Sequence, residues 1–426
     1  MKSPDGASMQ EADVAIIGGG IAGASAAFEL AAVSSVILLE RESHCGYHST
    51  GRSAASFTEN YGNAVIRRLA IASRSFLEAP PEGFCDHPLM LPRGMLTIAR
   101  QDQLGRLEEE LEKARQLVPS IHRVSREKAL ARVPVLRSEY VAGAIVEPGC
   151  REIDVNELHQ GFLRNARKRG GRIVTDAGVD AIERHKDRWI LQTSQGLFAA
   201  PILVNAAGAW ADRIAALAKI APIGLVPKRR TAFHVAAPDG VSIAGWPLVN
   251  DVGEEFYFKP DAGRIFVSPA DATPSEPMDA YPDDFDVAVG VDRLQRATTI
   301  DVRRIEHQWA GLRSFVSDAS PVVGFDAEAE GFFWLAGQGG YGIKTSPALA
   351  RACRDLIRTG RLPDELLRQG IEAGDLAPGR IRTKSAPEEK APGACRMNCC
   401  VKASRRGDLA PGRIGATSAP REKHRE

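Results

Sequence analysis

One stretch near the start of the chain, Asp13 to Ala27, constrains the fold more than any other. Val14 to Ile17 is an uninterrupted apolar run, the pattern of a strand buried on both faces. Gly18, Gly20 and Gly23 follow as GxGxxG, and the small residues from Ile21 to Leu30 predict a helix packed tightly on that strand. Gly18 permits the sharp turn, Gly20 lets a pyrophosphate approach the backbone, and Gly23 lets helix and strand close up. Ile21 and Ala22, at the helix start, offer free N–H groups and the positive dipole end to phosphate. Ser35 to Leu39 predicts the second strand, with Glu40 at its end. An acid about 20 residues beyond the glycines is what a ribose hydroxyl pair requires. Strand, glycines, helix, strand and acid in that order outweigh a chance glycine-rich turn beside an ordinary glutamate. The carboxylate also disfavours a 2′-phosphate, which points to FAD or NAD rather than NADP.

The length of 426 residues predicts two or three domains. A formal net charge of +1 argues against a polyanion-binding surface, so neither a nucleic-acid partner nor an acidic membrane is expected. No apolar run approaches the ~20 residues of a membrane-spanning helix. Residues 1–11 are short and polar, without the apolar centre of a secretion signal. Cys45, Cys85, Cys150 and Cys353 are scattered and expected to be reduced thiols. Cys395, Cys399 and Cys400 stand in a polar tail with no fourth ligand patterned nearby, so no metal is expected. These features together predict a cytoplasmic enzyme.

After Glu40, residues 41–58 form a loop rich in Ser, Thr, Gly and Ala, in which Arg41, Ser49, Thr50, Gly51, Arg52 and Ser53 are candidate cofactor contacts. Hydroxyls donate to buried phosphates, and small residues leave room for a ring edge. Residues 62–76 read as a helix, Met95 to Ile98 as a strand, and Gln101 to Leu117 as a solvated helix. Asp154 caps a helix over 157–169. Segments 172–175, 179–182, 196–199 and 202–204 read as strands of the cofactor domain. They lead into the small-residue turn Asn205 to Trp210, where Ala207, Gly208 and Trp210 form a second candidate approach to the dinucleotide. Residues 217–314 read as antiparallel sheet, with a hairpin turning at Pro260-Asp261-Ala262-Gly263. Phe332 to Ala336 is the last strand. Gly339, Gly340, Tyr341, Gly342 and Ile343 then open a helix able to hold a ring oxygen that gains negative charge.

The motif GYHSTGRSAA, taken with PKRR, FYFKP, GLRSF and GQGGYGI, resembles the D-amino-acid dehydrogenases of the glycine oxidase/D-amino-acid oxidase group of flavoproteins, above all the D-arginine dehydrogenases. The likeness runs from about Ala12 to about Asp364. It implies non-covalent FAD and oxidation of a D-amino acid to an imino acid that hydrolyses to a 2-oxo acid and ammonia. A quinone or oxygen would take up the electrons. The implied fold is α/β: a Rossmann-like FAD-binding domain with an interleaved α+β substrate domain built on an antiparallel sheet. The FAD-binding segments are then 10–86, 144–216 and 315–372, the substrate segments 87–143 and 217–314. Residues 373–426 read as a disordered tail in which GDLAPGRI occurs twice, at 374–381 and 407–414. Glycine, sarcosine or proline oxidation on the same fold is an alternative. So is a flavin-binding subunit of an electron-transfer complex.

Amino-acid oxidation requires a clamped carboxylate, a neutral amine and limited water, with the flavin accepting the hydride. The planar fork of arginine matches a carboxylate, and Arg313 and Arg230, in GLRSF and PKRR where the resemblance implies substrate-carboxylate arginines, are the candidates; Arg229 reads as a surface residue. The resemblance adds Tyr61 and Tyr257 as carboxylate ligands or lid, the backbone near Gly340 for the amine, and a Val179 backbone contact to adenine. Three departures matter. Ser56 replaces an active-site histidine, Met95 replaces a guanidinium-binding glutamate, and Lys344 replaces a glutamine, adding positive charge near the flavin. They predict a preference for uncharged D-amino acids.

Overall fold

The computed structural model describes residues 9–382. Six strands form the first sheet, in the order Arg172–Val174, Val36–Leu39, Val14–Ile17, Ile202–Asn205, Phe332–Ala336 and Val322–Phe325. The first five run parallel and the last is antiparallel. Every residue of Val14–Ile17 and of Val36–Leu39 is buried, because both faces of the sheet are covered. Val14, Ile16, Val36 and Leu38 face helices Ile21–Leu30, Ala64–Glu78, Val155–Lys168 and Gly342–Thr359, around a cluster of Phe28, Phe76, Phe84 and Phe162. Ala15, Ile17, Ile37 and Leu39 face the opposite way, onto Trp189, Phe198 and Trp334. Asp154 does cap its helix, accepting from the Glu157 N–H at 2.8 Å.

The opposite face is covered by a separate four-stranded sheet of Gln10–Glu11, Gly196–Ala200, Arg188–Thr193 and Val179–His185. Two of the strands assigned to the cofactor domain therefore lie beside its central sheet and not in it.

An eight-stranded sheet faces the glycine turns, in the order His307–Phe315, Val226–Ala236, Arg264–Ser268, Tyr257–Asp261, Leu248–Asp251, Met95–Ala99, Gly143–Glu147 and His122–Val124. The expected hairpin is present: Tyr257–Asp261 pairs with Arg264–Ser268 around Ala262 and Gly263, both at positive φ (47° and 79°). The sheet is mixed, which corrects the antiparallel expectation, because Leu248–Asp251 runs parallel to Met95–Ala99. Gly143–Glu147, placed by sequence at the edge of a cofactor segment, pairs instead with Met95–Ala99.

The expected tail is corrected at its start. Ala373–Leu376 and Gly379–Arg382 are helical, Leu376 is fully buried, and Arg380 donates to the Asp318 carboxylate at 2.9 Å. The first GDLAPGRI copy is thus folded onto the body of the chain; the second copy, with Cys395, Cys399 and Cys400, lies outside the described residues.

Candidate active site

The opening turn is built as its glycines require. Gly18 has φ +105°, and a Cβ there would stand 2.5 Å from the Ala206 carbonyl oxygen. A Cβ on Gly23 would stand 1.9 Å from the Gly18 oxygen, so Gly23 presses helix onto strand and does not line a cavity. The Thr50 hydroxyl accepts from the Ile21 N–H at 3.0 Å. The Glu40 carboxylate accepts from the N–H groups of Gly19 (2.7 Å) and Glu42 (2.9 Å), which fixes it at the strand end. His159 donates from Nε2 to the Gly19 carbonyl at 2.8 Å, and burial holds its imidazole below the ordinary histidine value. Nothing in the local sequence marks His159, which arrives from 140 residues away.

One cavity of about 560 Å³ opens from this turn. Its lining includes Gly18, Gly20, Ile21, Ala22, Glu40 and Arg41, together with Ser49, Thr50, Arg52 and Ser53. Val179, Ala207, Gly208 and Trp210 contribute, as do Gly339, Gly340, Gly342 and Ile343. Arg230, Tyr257 and Arg313 line it from the eight-stranded sheet. Two expected contacts serve the frame more than the cavity. Ser49 donates its hydroxyl to the Leu312 carbonyl at 2.6 Å, and the Arg52 guanidinium reaches the Ala280 and Ala310 carbonyls and Asp279. Gly51 is absent from the lining; its N–H closes the loop onto the Gly46 carbonyl at 2.8 Å. Tyr341 is likewise outside the lining, and burial with neighbouring Tyr61 pushes its phenol up to about 12.

Strand alternation decides between the two neighbouring arginines. Arg229 faces away from the cavity and pairs with Asp286 (2.8 Å) and Asp283 (3.3 Å), half-buried against that acidic helix start and not a free surface residue. Arg230 faces in, and its buried Nε has no partner. Arg313 makes no ion pair among the described residues; it donates to the Tyr257 hydroxyl at 3.4 Å. A Cβ on Gly340 would stand 3.0 Å from Nη1 of Arg313, so that glycine lets the guanidinium lie against the backbone. Burial alone would raise the Tyr257 phenol, but the charges of Arg313 and Arg230 outweigh it and hold the phenol below the ordinary tyrosine value.

Among the residues expected to meet the substrate, Ser56, Tyr61, Lys344 and Met95 do not line the cavity. Ser56 lies on a two-residue strand paired with Glu152, its hydroxyl buried and unpartnered. Tyr61 is 38% exposed and stands edge-on to Tyr341, with ring centroids 5.1 Å apart, outside the lining. Lys344 is corrected outright. It is 4% exposed and points away from the cavity, donating to the carbonyls of Thr58 and Tyr61 at 2.8 Å each. Met95 is half-buried and stands opposite Glu147 in the antiparallel pair.

A glycine turn at a helix start, an acid held at the next strand end and a small-residue turn at Ala207 and Gly208 fit a dinucleotide. Residues 13–356 match the family described as DAO, FAD dependent oxidoreductase. The chain belongs to that family. This FAD-dependent oxidoreductase is 26% identical over 382 residues to glycine oxidase of Geobacillus kaustophilus, covering 86% of this chain and 95% of that one. It is 22% identical over 403 residues to the mitochondrial dimethylglycine dehydrogenase of Rattus norvegicus, covering 89% of this chain and 46% of that one. In fold it is similar to the crystal structure of the Geobacillus kaustophilus glycine oxidase, with a TM-score of 0.73 over 82% of this chain and 95% of the other, at 24% identity. It is equally similar to L-proline dehydrogenase from P. horikoshii, again at 0.73, over 88% and 99% of the two chains at 20% identity. Its cofactor is FAD. No helix among the described residues is long and apolar enough to cross a membrane.

Proposed function

We propose that this oxidoreductase oxidises D-amino acids with uncharged side chains. The substrate loses a hydride from Cα and a proton from nitrogen, and water then hydrolyses the imino acid to a 2-oxo acid and ammonia. The observation that carries this reading is the half-buried Arg313 on the cavity wall, which has no acidic partner among the described residues and lies against Gly340 and the Tyr257 hydroxyl. A guanidinium partly withdrawn from water and lacking a counter-ion is a ready seat for an anion. Arg230 offers a second cation on the same wall.

Bound FAD supplies the acceptor for the hydride. Arg313 and Arg230 hold the carboxylate and orient Cα. The Tyr257 phenol, kept acidic by both arginines, donates a hydrogen bond to the same carboxylate. Backbone carbonyls near Gly340 receive the amine.

The preference for uncharged side chains rests on the cavity wall beside Arg313 and Arg230, where Tyr257, Phe266 and Ile343 offer no carboxylate; Met95 and Glu147 stand outside that lining. A cationic substrate would need an unpaired carboxylate, and Glu147, opposite Met95, already faces the internal cation Lys344. Comparing kcat/KM across a substrate panel tests the reading. D-leucine and D-methionine are expected to exceed D-arginine; the reverse order overturns the preference. The enzymes named for glycine and dimethylglycine favour a second reading, oxidation of glycine or a small N-methylated glycine. Sarcosine and glycine in the same panel decide it. Electrons leave to a quinone or to oxygen. The free thiols Cys45, Cys85, Cys150 and Cys353 support a cytoplasmic site. The two large sheets support the division into cofactor segments 10–86, 144–216 and 315–372 and substrate segments 87–143 and 217–314, with Gly143–Glu147 assigned to the substrate side.

A further inference from the structure

Lys344 sits where a lysine is expected to be least welcome. It lies in the first turn of the helix Gly342–Thr359, beside the positive end of its dipole, and is 4% exposed. Burial pushes its ammonium down to about 7, against the pull of the nearby Glu147. Residues that break local rules concentrate at functional or strained sites.

Its contacts show what it holds. The ammonium donates to the Thr58 and Tyr61 carbonyls, both at 2.8 Å, and so closes the turn 58–61 around itself. Within that turn the Asn60 N–H donates to the Thr58 hydroxyl at 3.1 Å. The rings of Tyr61 and Tyr341 each lie 5.6 Å from Nζ, within cation–π range. The next residue toward the cavity, Ile343, is part of its wall. Lys344 thus ties the glycine turn that borders the cavity to the segment carrying Tyr61. Other groups facing the ammonium are Glu147, Cys150, Arg67 and Glu59.

We propose that Lys344 is a positioning residue: its side chain pins the 58–61 turn so that the Tyr61 ring stays edge-on to Tyr341 beside the Arg313 end of the cavity. This rests on the reading that substrate binds at Arg313. Lys344 does not touch substrate and acts through Tyr61. A glutamine there has one amide nitrogen on a shorter stem, whereas lysine reaches both carbonyls.

The test uses the FAD-loaded enzyme and three variants: Lys344→Met, Lys344→Gln and Tyr61→Ala. In K344M, amide hydrogen exchange over 58–62 is expected to quicken roughly tenfold, the scale of a lost charge-assisted hydrogen bond. KM for the amino acid is expected to rise by a similar factor while kcat changes less, and K344Q is expected to fall between K344M and the parent. On a Y61A background, K344M is expected to add little further to KM. Exchange and KM that match the parent in K344M and K344Q overturn the proposal, as do effects of K344M and Y61A that simply multiply. A parent enzyme that turns over no amino acid refutes the proposed function instead, while the exchange measurement still judges the pin.

Discussion

Arg313 donates from Nη2 to the phenolic oxygen of Tyr257 at 3.4 Å, although the two residues stand on strands with two others between them. Same-face placement on a twisted sheet brings them together at the wall of the cavity. Arg313→Leu should keep the yellow colour of bound FAD and lower kcat/KM ~100-fold or more, about 2.7 kcal/mol of transition-state binding. Steady-state kinetics on the purified variant checks it. An unchanged kcat/KM would place the carboxylate elsewhere.

Tyr257 should be the first tyrosine to ionise as pH rises. Arg313 and Arg230 outweigh burial there and favour the phenolate, whereas Tyr47, Tyr140 and Tyr341 are pushed the other way. A phenol whose folded value is lowered gains stability as pH rises through that value. An ultraviolet tyrosinate titration should show one early component that Tyr257→Phe removes and Arg313→Leu moves to higher pH.

Two glycines should fail differently. Gly18→Ala places a methyl 2.5 Å from the Ala206 oxygen at φ +105°, so the variant should be colourless or unfolded. Gly340→Ala places one 3.0 Å from the Arg313 guanidinium, a flexible neighbour able to yield by a few tenths of an ångström. That variant should retain FAD and show KM raised ~10-fold as the clamp shifts. Absorbance after gel filtration and steady-state KM separate the two cases.

His159 braces the phosphate-facing turn as a neutral ring. Burial holds its folded value below the unfolded ~6.5. The unfolded state therefore takes up the proton first as pH falls through that value, and stability drops. Thermal melts at falling pH should show a steeper loss for the parent than for His159→Gln, with the Gln variant retaining FAD less tightly because the bond to the Gly19 carbonyl is altered.

The cofactor half was legible because its signals are local. Val14–Ile17, the three glycines and Glu40 declare strand, turn and acid within thirty residues or so, and the structure places all of them as read. The choice of Arg230 over Arg229 comes from the family resemblance at PKRR, and strand alternation accounts for it only once the strand Val226–Ala236 is seen. The destination of Lys344 was not legible: its partners lie 283 and 286 residues away, and motif position alone suggested the flavin. His159 and the parallel pairing of Leu248–Asp251 with Met95–Ala99 were hidden for the same reason, since both are set by packing between distant segments. The folded first GDLAPGRI copy was misread from composition, which hides the single buried Leu376 and the Arg380–Asp318 bond.

The central claim is that an uncharged D-amino acid docks on the paired guanidinium groups beside bound FAD. Anaerobic mixing of the purified yellow enzyme with single D- and L-amino acids tests it most directly. The account predicts that D-leucine and D-methionine bleach the flavin absorbance while their L-enantiomers leave it intact. Colour that persists with every D-amino acid, or bleaching by the L-forms alone, would contradict it.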